Sequence, residues 1–249
     1  MSTIHKSIRR NAAKLVKEVQ DSVRHRPGER AALRRSLGIA PAELARVRPV
    51  ACRVVVPHIA AFDNELGEQR KLRPRQRDFL ERSFYTVAAL VAHQPRFVED
   101  ADDEEPEAPG EAAETGLVEG GHTRAEEGNS TTERRREEEK IDLGAALAIS
   151  ALRQSGDLQG KRGDPRDLGS DQRWVAPQEK RLHLLCRQDL DGLYRHLPRV
   201  MGLLRSQAVT PDWTVLAGDL YAWGSPGSRD RIAKKWLDNY YRTLSAPPA

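Results

Sequence analysis

Residues 99 to 140 hold 16 acidic and 5 basic side chains and very few large apolar ones, and this block constrains the fold more than any other feature. A segment of that composition cannot bury enough apolar surface to offset the entropy of ordering it. It reads as a disordered acidic linker, with Thr132 to Lys140 able to add a helical turn onto Ile141. The chain is thereby divided into residues 1–98, the linker 99–140 and residues 141–249. The formal net charge of +4 hides this polarity: residues 1–98 carry 20 basic against 9 acidic groups, and residues 141–249 carry 16 against 12.

Both flanking parts have the pattern of helices. Ile8, Ala12, Leu15, Val16, Val19 and Val23 recur at three- and four-residue steps, with Arg9, Arg10, Lys14 and Lys17 around the rest, so one face is buried. A short helix follows over Glu29 to Arg35, closed by Gly38. Residues 50–62 read as a helix bent at Pro57, with a buried strand at Val54 to Val56 as the alternative. Arg75 to His93 is helical through Phe79, Leu80, Phe84, Val87, Leu90 and Val91. After a helix over 143–154 and a Gly- and Asp-rich loop over 156–170, the seam Leu182, Cys186, Leu190, Leu193, Leu197, Met201 and Leu204 predicts one long helix over 178–206. Pro198 should kink or split it near 194–198. Helices over 212–223 and 229–244 close the chain. The expected fold class is all-α, two small helical bundles joined by the acidic linker.

Catalytic and metal chemistry find no constellation. Asp189 and Asp191 diverge on a helix and read as solvated charge beside Arg187 and Arg195. Gly156 to Arg162 has three residues between its glycines where a phosphate loop has four, and no Ser or Thr follows Lys161. The histidines form no His-Glu-x-x-His or Cys/His cluster. Cys52 and Cys186 cannot build a disulfide framework and read as small buried hydrophobes. Trp213, Trp223 and Trp236 fall at core spacing, which leaves Trp174 as the candidate base stacker. The reading is therefore a non-enzyme without cofactor, metal or small-molecule substrate. No run of 18 apolar residues and no signal-peptide pattern is present, so the expected location is the cytoplasm, away from membranes.

What remains is basic charge on helices, richer in Arg than in Lys, which suits guanidinium forks meeting phosphate oxygens. The competing explanation is a generically solvated, Arg-rich surface. With no zinc finger, no RNP aromatic motif and no GXXG clamp, backbone tracking is favoured over base readout.

In the C-terminal part the residues become particular. Leu184-Leu185-Cys186, Asp189-Leu190-Asp191-Gly192-Leu193, Arg195-His196-Leu197 and Leu203-Leu204-Arg205-Ser206 lead into Pro211-Asp212-Trp213 and Gly218-Asp219-Leu220-Tyr221-Ala222-Trp223. Arg231-Ile232-Ala233-Lys234-Lys235-Trp236 and Asp238-Asn239-Tyr240-Tyr241 follow. In this order they resemble the small subunit of the type I-E CRISPR Cascade complex, the CasB family. Gly28 to Arg35 and Phe84 to Ala92 resemble its N-terminal landmarks. Two features depart from it: the acidic segment, longer than the family's usual connection, and Pro198.

The resemblance implies a non-catalytic subunit, present as a pair beside the backbone filament and the large subunit, that holds the displaced non-target strand and stabilises the R-loop. Its expected partners are CRISPR RNA, the target DNA backbone, the other Cascade subunits and a second copy of itself. Its expected phosphate contacts are Arg30, Arg34, Arg35, Arg195, Arg205, Arg231, Lys234 and Lys235. The rival readings are a structural adaptor that touches no nucleic acid and, third, a nuclease. The acidic segment is further expected to compete with phosphate for the basic N-terminal part.

Overall fold

The fold is described from a computed structural model, for residues 3–41, 43, 48–67, 71–95, 141–159 and 176–246. The acidic linker, Trp174 and most of the predicted 156–170 loop lie outside these residues. The helices are α1 (Thr3–His25), α2 (Pro27–Arg35), α3 (Pro49–Leu66), α4 (Pro74–Ala92), α5 (Leu143–Gln159), α6 (Pro177–Cys186), α7 (Leu190–Ser206), α8 (Trp213–Trp223) and α9 (Pro226–Ser245). No strand occurs among the described residues. Five of these helices, α2, α3, α4, α6 and α9, begin on proline, whose fixed φ and missing N–H suit a first turn.

The six apolar positions that the sequence assigns to the inner face of α1, from Ile8 to Val23, are all buried. In α3 the run Val54 to Val56 is helical, and the helix continues across Pro57, whose ring faces solvent. Helix α5 extends to Gln159, past the predicted loop boundary at Gly156.

The predicted long helix breaks elsewhere than expected. Pro198 is accommodated inside α7, and the interruption falls at Arg187 to Asp189. The cause is a cap: the Asp189 carboxylate accepts the Gly192 N–H at 2.8 Å, which satisfies a first-turn donor and starts a new helix. Asp189 is therefore a capping group. Asp191 meets Arg82 of α4, with Nη1 and Oδ1 2.7 Å apart, in place of the expected Arg187 and Arg195.

The helices on either side of the acidic segment share one core. Residues 1–94 and 141–249 form a single compact unit, where the sequence reading separates two bundles. Helix α8 joins them, because every residue in it except Thr214 is buried, and a helix apolar on all sides needs neighbours on all sides. It packs against α1, α4 and α9, while α9 lies along α5. Asp212 caps α8 by accepting from Thr214 N at 2.7 Å and Val215 N at 3.0 Å. Its own N–H donates to Ile141 O at 2.7 Å. Asp142 does the same for α5, accepting from Ala145 N at 2.9 Å and from Asn239 Nδ2 at 2.7 Å.

Between α8 and α9, Trp223 and Trp236 stack with centroids 4.9 Å apart. The Trp236 indole N–H donates to Asp219 at 2.8 Å, and Lys235 Nζ donates to the same carboxylate at 2.6 and 2.5 Å. Burial pushes the Asp219 carboxyl up, while Lys235 and Trp236 pull it back. Asp219→Ala strands both donors, and we expect it to cost about 3–5 kcal/mol in urea unfolding.

Helix α5 approaches α9 closely at Gly144: a Cβ there would run into the Trp236 carbonyl. Gly144→Ala should therefore destabilise by about 1–3 kcal/mol. Gly202→Ala is the control, since its Cβ would meet nothing within 4 Å on α7; there the gain in helix propensity should stabilise by about 0.5–1 kcal/mol.

Candidate nucleic-acid interface

Helix α4 ends at Ala92; the His93 and Gln94 N–H groups take the carbonyls of Ala89, Leu90 and Val91, which leaves those of Ala92, His93 and Gln94 in need of partners. Two arginines supply them. Arg30 of α2 donates Nε to Ala92 O at 3.2 Å and Nη2 to Gln94 O at 2.8 Å, and Arg205 of α7 donates Nη1 to His93 O at 2.8 Å. Guanidinium groups here also meet the negative end of the helix dipole. Arg34 stands one turn beyond Arg30 on α2, exposed, with no hydrogen bond or ion pair among the described residues. Three of the eight sequence-predicted contacts thus converge on one helix end from elements far apart in the chain.

His93 reports their combined field. Burial lowers its pKa, the Ala89 carbonyl 2.7 Å from Nδ1 works against that, and Arg34, Arg205 and Arg30 lower it further. The imidazole is therefore neutral near pH 7.

Helix α7 runs beside α4 in the same direction. Arg82–Asp191 pins its start, with Arg82 Nε also 3.1 Å from Asp78, and Arg205–His93 pins its end. Arg195 lies between these clasps, exposed and unpaired among the described residues, about 15 Å along the axis from Arg205. Beside it is a cavity of about 550 Å³. Its far wall is the segment 36–41, which Gly38 turns with a left-handed φ of 82°.

The other predicted residues are placed differently. Arg35 and Lys234 are exposed. Arg231, near the start of α9, donates Nη2 to Ser228 Oγ at 3.1 Å. It belongs to a second cationic group with His5 and Arg9: burial lowers the His5 pKa, and Arg231 and then Arg9 add to the shift. Lys235 is held against Asp219, and its ammonium is engaged within the fold.

No three His, Cys, Asp or Glu side chains converge to hold a metal among the described residues. Cys52 and Cys186 are free, and burial pushes the Cys186 thiol up to about 11. Trp213, Trp223 and Trp236 are core residues. No described helix is long and apolar enough to cross a membrane.

The family model described as CRISPR-associated protein Cse2 matches residues 29–241. The chain belongs to the Cse2 family. A solved chain described as a CRISPR RNA-guided surveillance complex is 30% identical, with 95% of each chain covered and a TM-score of 0.58. A second, described as the same complex in a pre-nicking state, gives the same values. CasB from Thermobifida fusca shares the fold, at 17% identity over 94% of this chain and 98% of that one, with a TM-score of 0.53. No curated protein matches the chain.

In this Cse2-family chain, sequence reasoning passed over His93, Arg82 and the grouping of Arg9 and Arg231 around His5. The Arg9-Arg10 doublet was visible, but which cations from distant helices gather around His5 is not a local property. His93 yields a measurement. Its native pKa lies below the ordinary 6.5, so below pH 6.5 the unfolded chain takes up the proton first and stability falls with pH. Arg34→Gln and Arg205→Gln each remove a repelling charge, and each should raise the His93 pKa in an NMR titration.

Proposed function

We propose that this Cse2-family chain is the non-catalytic small subunit of a type I-E CRISPR RNA-guided surveillance complex, acting in the cytoplasm. It binds the nucleic-acid backbone without sequence specificity, holds the displaced non-target strand and stabilises the R-loop. The observation that carries this reading is the convergence of Arg30, Arg34 and Arg205 on the C-terminal end of α4, with Arg195 farther along α7. Arg30 and Arg205 are fixed through backbone carbonyls, and Arg205, exposed at the end of α7, keeps donors for phosphate. Arg35, Arg231 and Lys234 extend the cationic surface, and Lys235 supports it from behind through Asp219.

Strand exchange in an R-loop is close to balanced, so a few phosphate contacts tip it. The other complex subunits, CRISPR RNA, target DNA and a second copy of the chain are the partners this role requires. The solved 30%-identical relative described as a surveillance complex supports it.

The test is fluorescence anisotropy of the purified chain with labelled single-stranded DNA across a salt series, using scrambled sequences as controls. Log affinity should fall against log salt by about 0.7 per phosphate contacted. Arg34→Glu with Arg195→Glu should shallow that slope by about 1.4, and in the reconstituted complex it should speed loss of target DNA. An unchanged slope and unchanged target retention would refute the assignment.

A further inference from the structure

At the other end of α4 from Arg30 and Arg205, about 25 Å along the helix axis, a cavity of about 380 Å³ opens between α1, α4 and the turn from α8 into α9. Its polar lining is His5, Arg75, Gln76, Ser225 and Ser228, and no carboxylate lines it among the described residues. The Phe79 ring occupies the space beside Gly224 that a side chain would need, which fixes the turn against α4. The side-chain acceptors of Gln76 and Ser228 are already engaged. Gln76 Oε1 accepts the Arg73 N–H at 3.0 Å, and Ser228 Oγ accepts from Arg231 Nη2 at 3.1 Å. What these two groups have left to offer is N–H and O–H donors.

Three arginines stand around these donors without an anion. Arg75 is exposed and unpaired among the described residues. Arg9 lies across Gly218 of α8, and neither it nor Arg231 meets a carboxylate among the described residues. Their field reaches His5, which packs edge-on to Tyr221 with ring centroids 5.9 Å apart. Burial lowers the His5 pKa first, and Arg231 and Arg9 lower it further. Asp219 opposes them, but its carboxylate is held by Lys235 and Trp236. Like charges grouped around spare donors are unfavourable until an anion enters, and phosphate oxygens suit both guanidinium forks and hydroxyls.

We propose that this cavity holds one phosphate group, received by Arg75, Gln76 and Ser228, with Arg9 and Arg231 supplying charge behind them. The site does not depend on the strand-holding reading above, whose central arginines lie at the opposite end of α4. A strand and free phosphate in solution present the same chemistry to it, and the experiment separates them.

The reporter is the His5 imidazole, followed by NMR in the full-length chain while inorganic phosphate is added at constant ionic strength. Its resonances should shift saturably and its pKa should rise, because a bound anion favours the imidazolium. Arg75→Gln with Arg231→Gln should weaken half-saturation about tenfold, with helicity and Tm confirming the fold. Arg34→Glu with Arg195→Glu should leave the His5 response unchanged while it weakens strand binding. A His5 response to oligothymidylate makes the ligand a strand phosphate, and a response to inorganic phosphate alone makes it free phosphate. No His5 response to either would overturn the site and leave the strand-holding surface standing. An undiminished response in a folded Arg75→Gln, Arg231→Gln chain would overturn its placement in this cavity.

Discussion

Trp236 is held on two sides, by the stacked indole of Trp223 and by a carboxylate, Asp219, that solvent barely reaches. A buried charge of this kind persists only where its donors are already in place, so Asp219 demands that α8 and α9 meet in one register. That register carries outward. Helix α8 is clasped by α1 and α4 on its other sides, and α9 lies along α5 closely enough that only a glycine fits at position 144. The position of α4 then decides where its last carbonyls emerge, and those carbonyls seat Arg30 and Arg205.

Placing cations at a helix C-terminus resolves a conflict in the site. Arginines gathered in one place repel one another when no anion is present. Here that repulsion is offset by the negative end of the α4 dipole and by three carbonyl oxygens from Ala92, His93 and Gln94. Burial depresses the His93 pKa first, and the share that Arg34, Arg205 and Arg30 add to it is repulsion that the carbonyls do not cancel. A lysine could not do the same work as Arg30, because a single ammonium cannot span two carbonyls in the fixed geometry of a planar fork.

The helical class and most helix faces were legible in the sequence, because apolar spacing is a local property. The inner face of α1 and the buried tryptophans follow from it directly. The break at Asp189 was legible in principle: Asp189 followed three residues later by Gly192 offers a cap. The proline nine residues on gave a louder signal that the helix tolerates. The single core was missed for a related reason. Helix α8 has no polar face, which already implies that it is enclosed by helices from both parts of the chain. Of the candidate site, the residue types were legible and their grouping was not. Lys234 and Lys235 are neighbours in sequence, yet one is exposed and the other is bound to Asp219, because adjacent positions on a helix point about 100° apart.

The lack of sequence preference in the proposed function follows from how the arginines are anchored. Specific base readout needs donors and acceptors aimed at base edges in a fixed pattern. Arg30 and Arg205 hold their orientation by donating to carbonyls of their own fold, and Arg34 and Arg195 project from helix surfaces without partners among the described residues. Such a set contributes donors only, spread along two helices, and any strand offers phosphate acceptors to it equally. On the proposed function, specificity comes from base pairing elsewhere, while this surface contributes free energy common to all sequences.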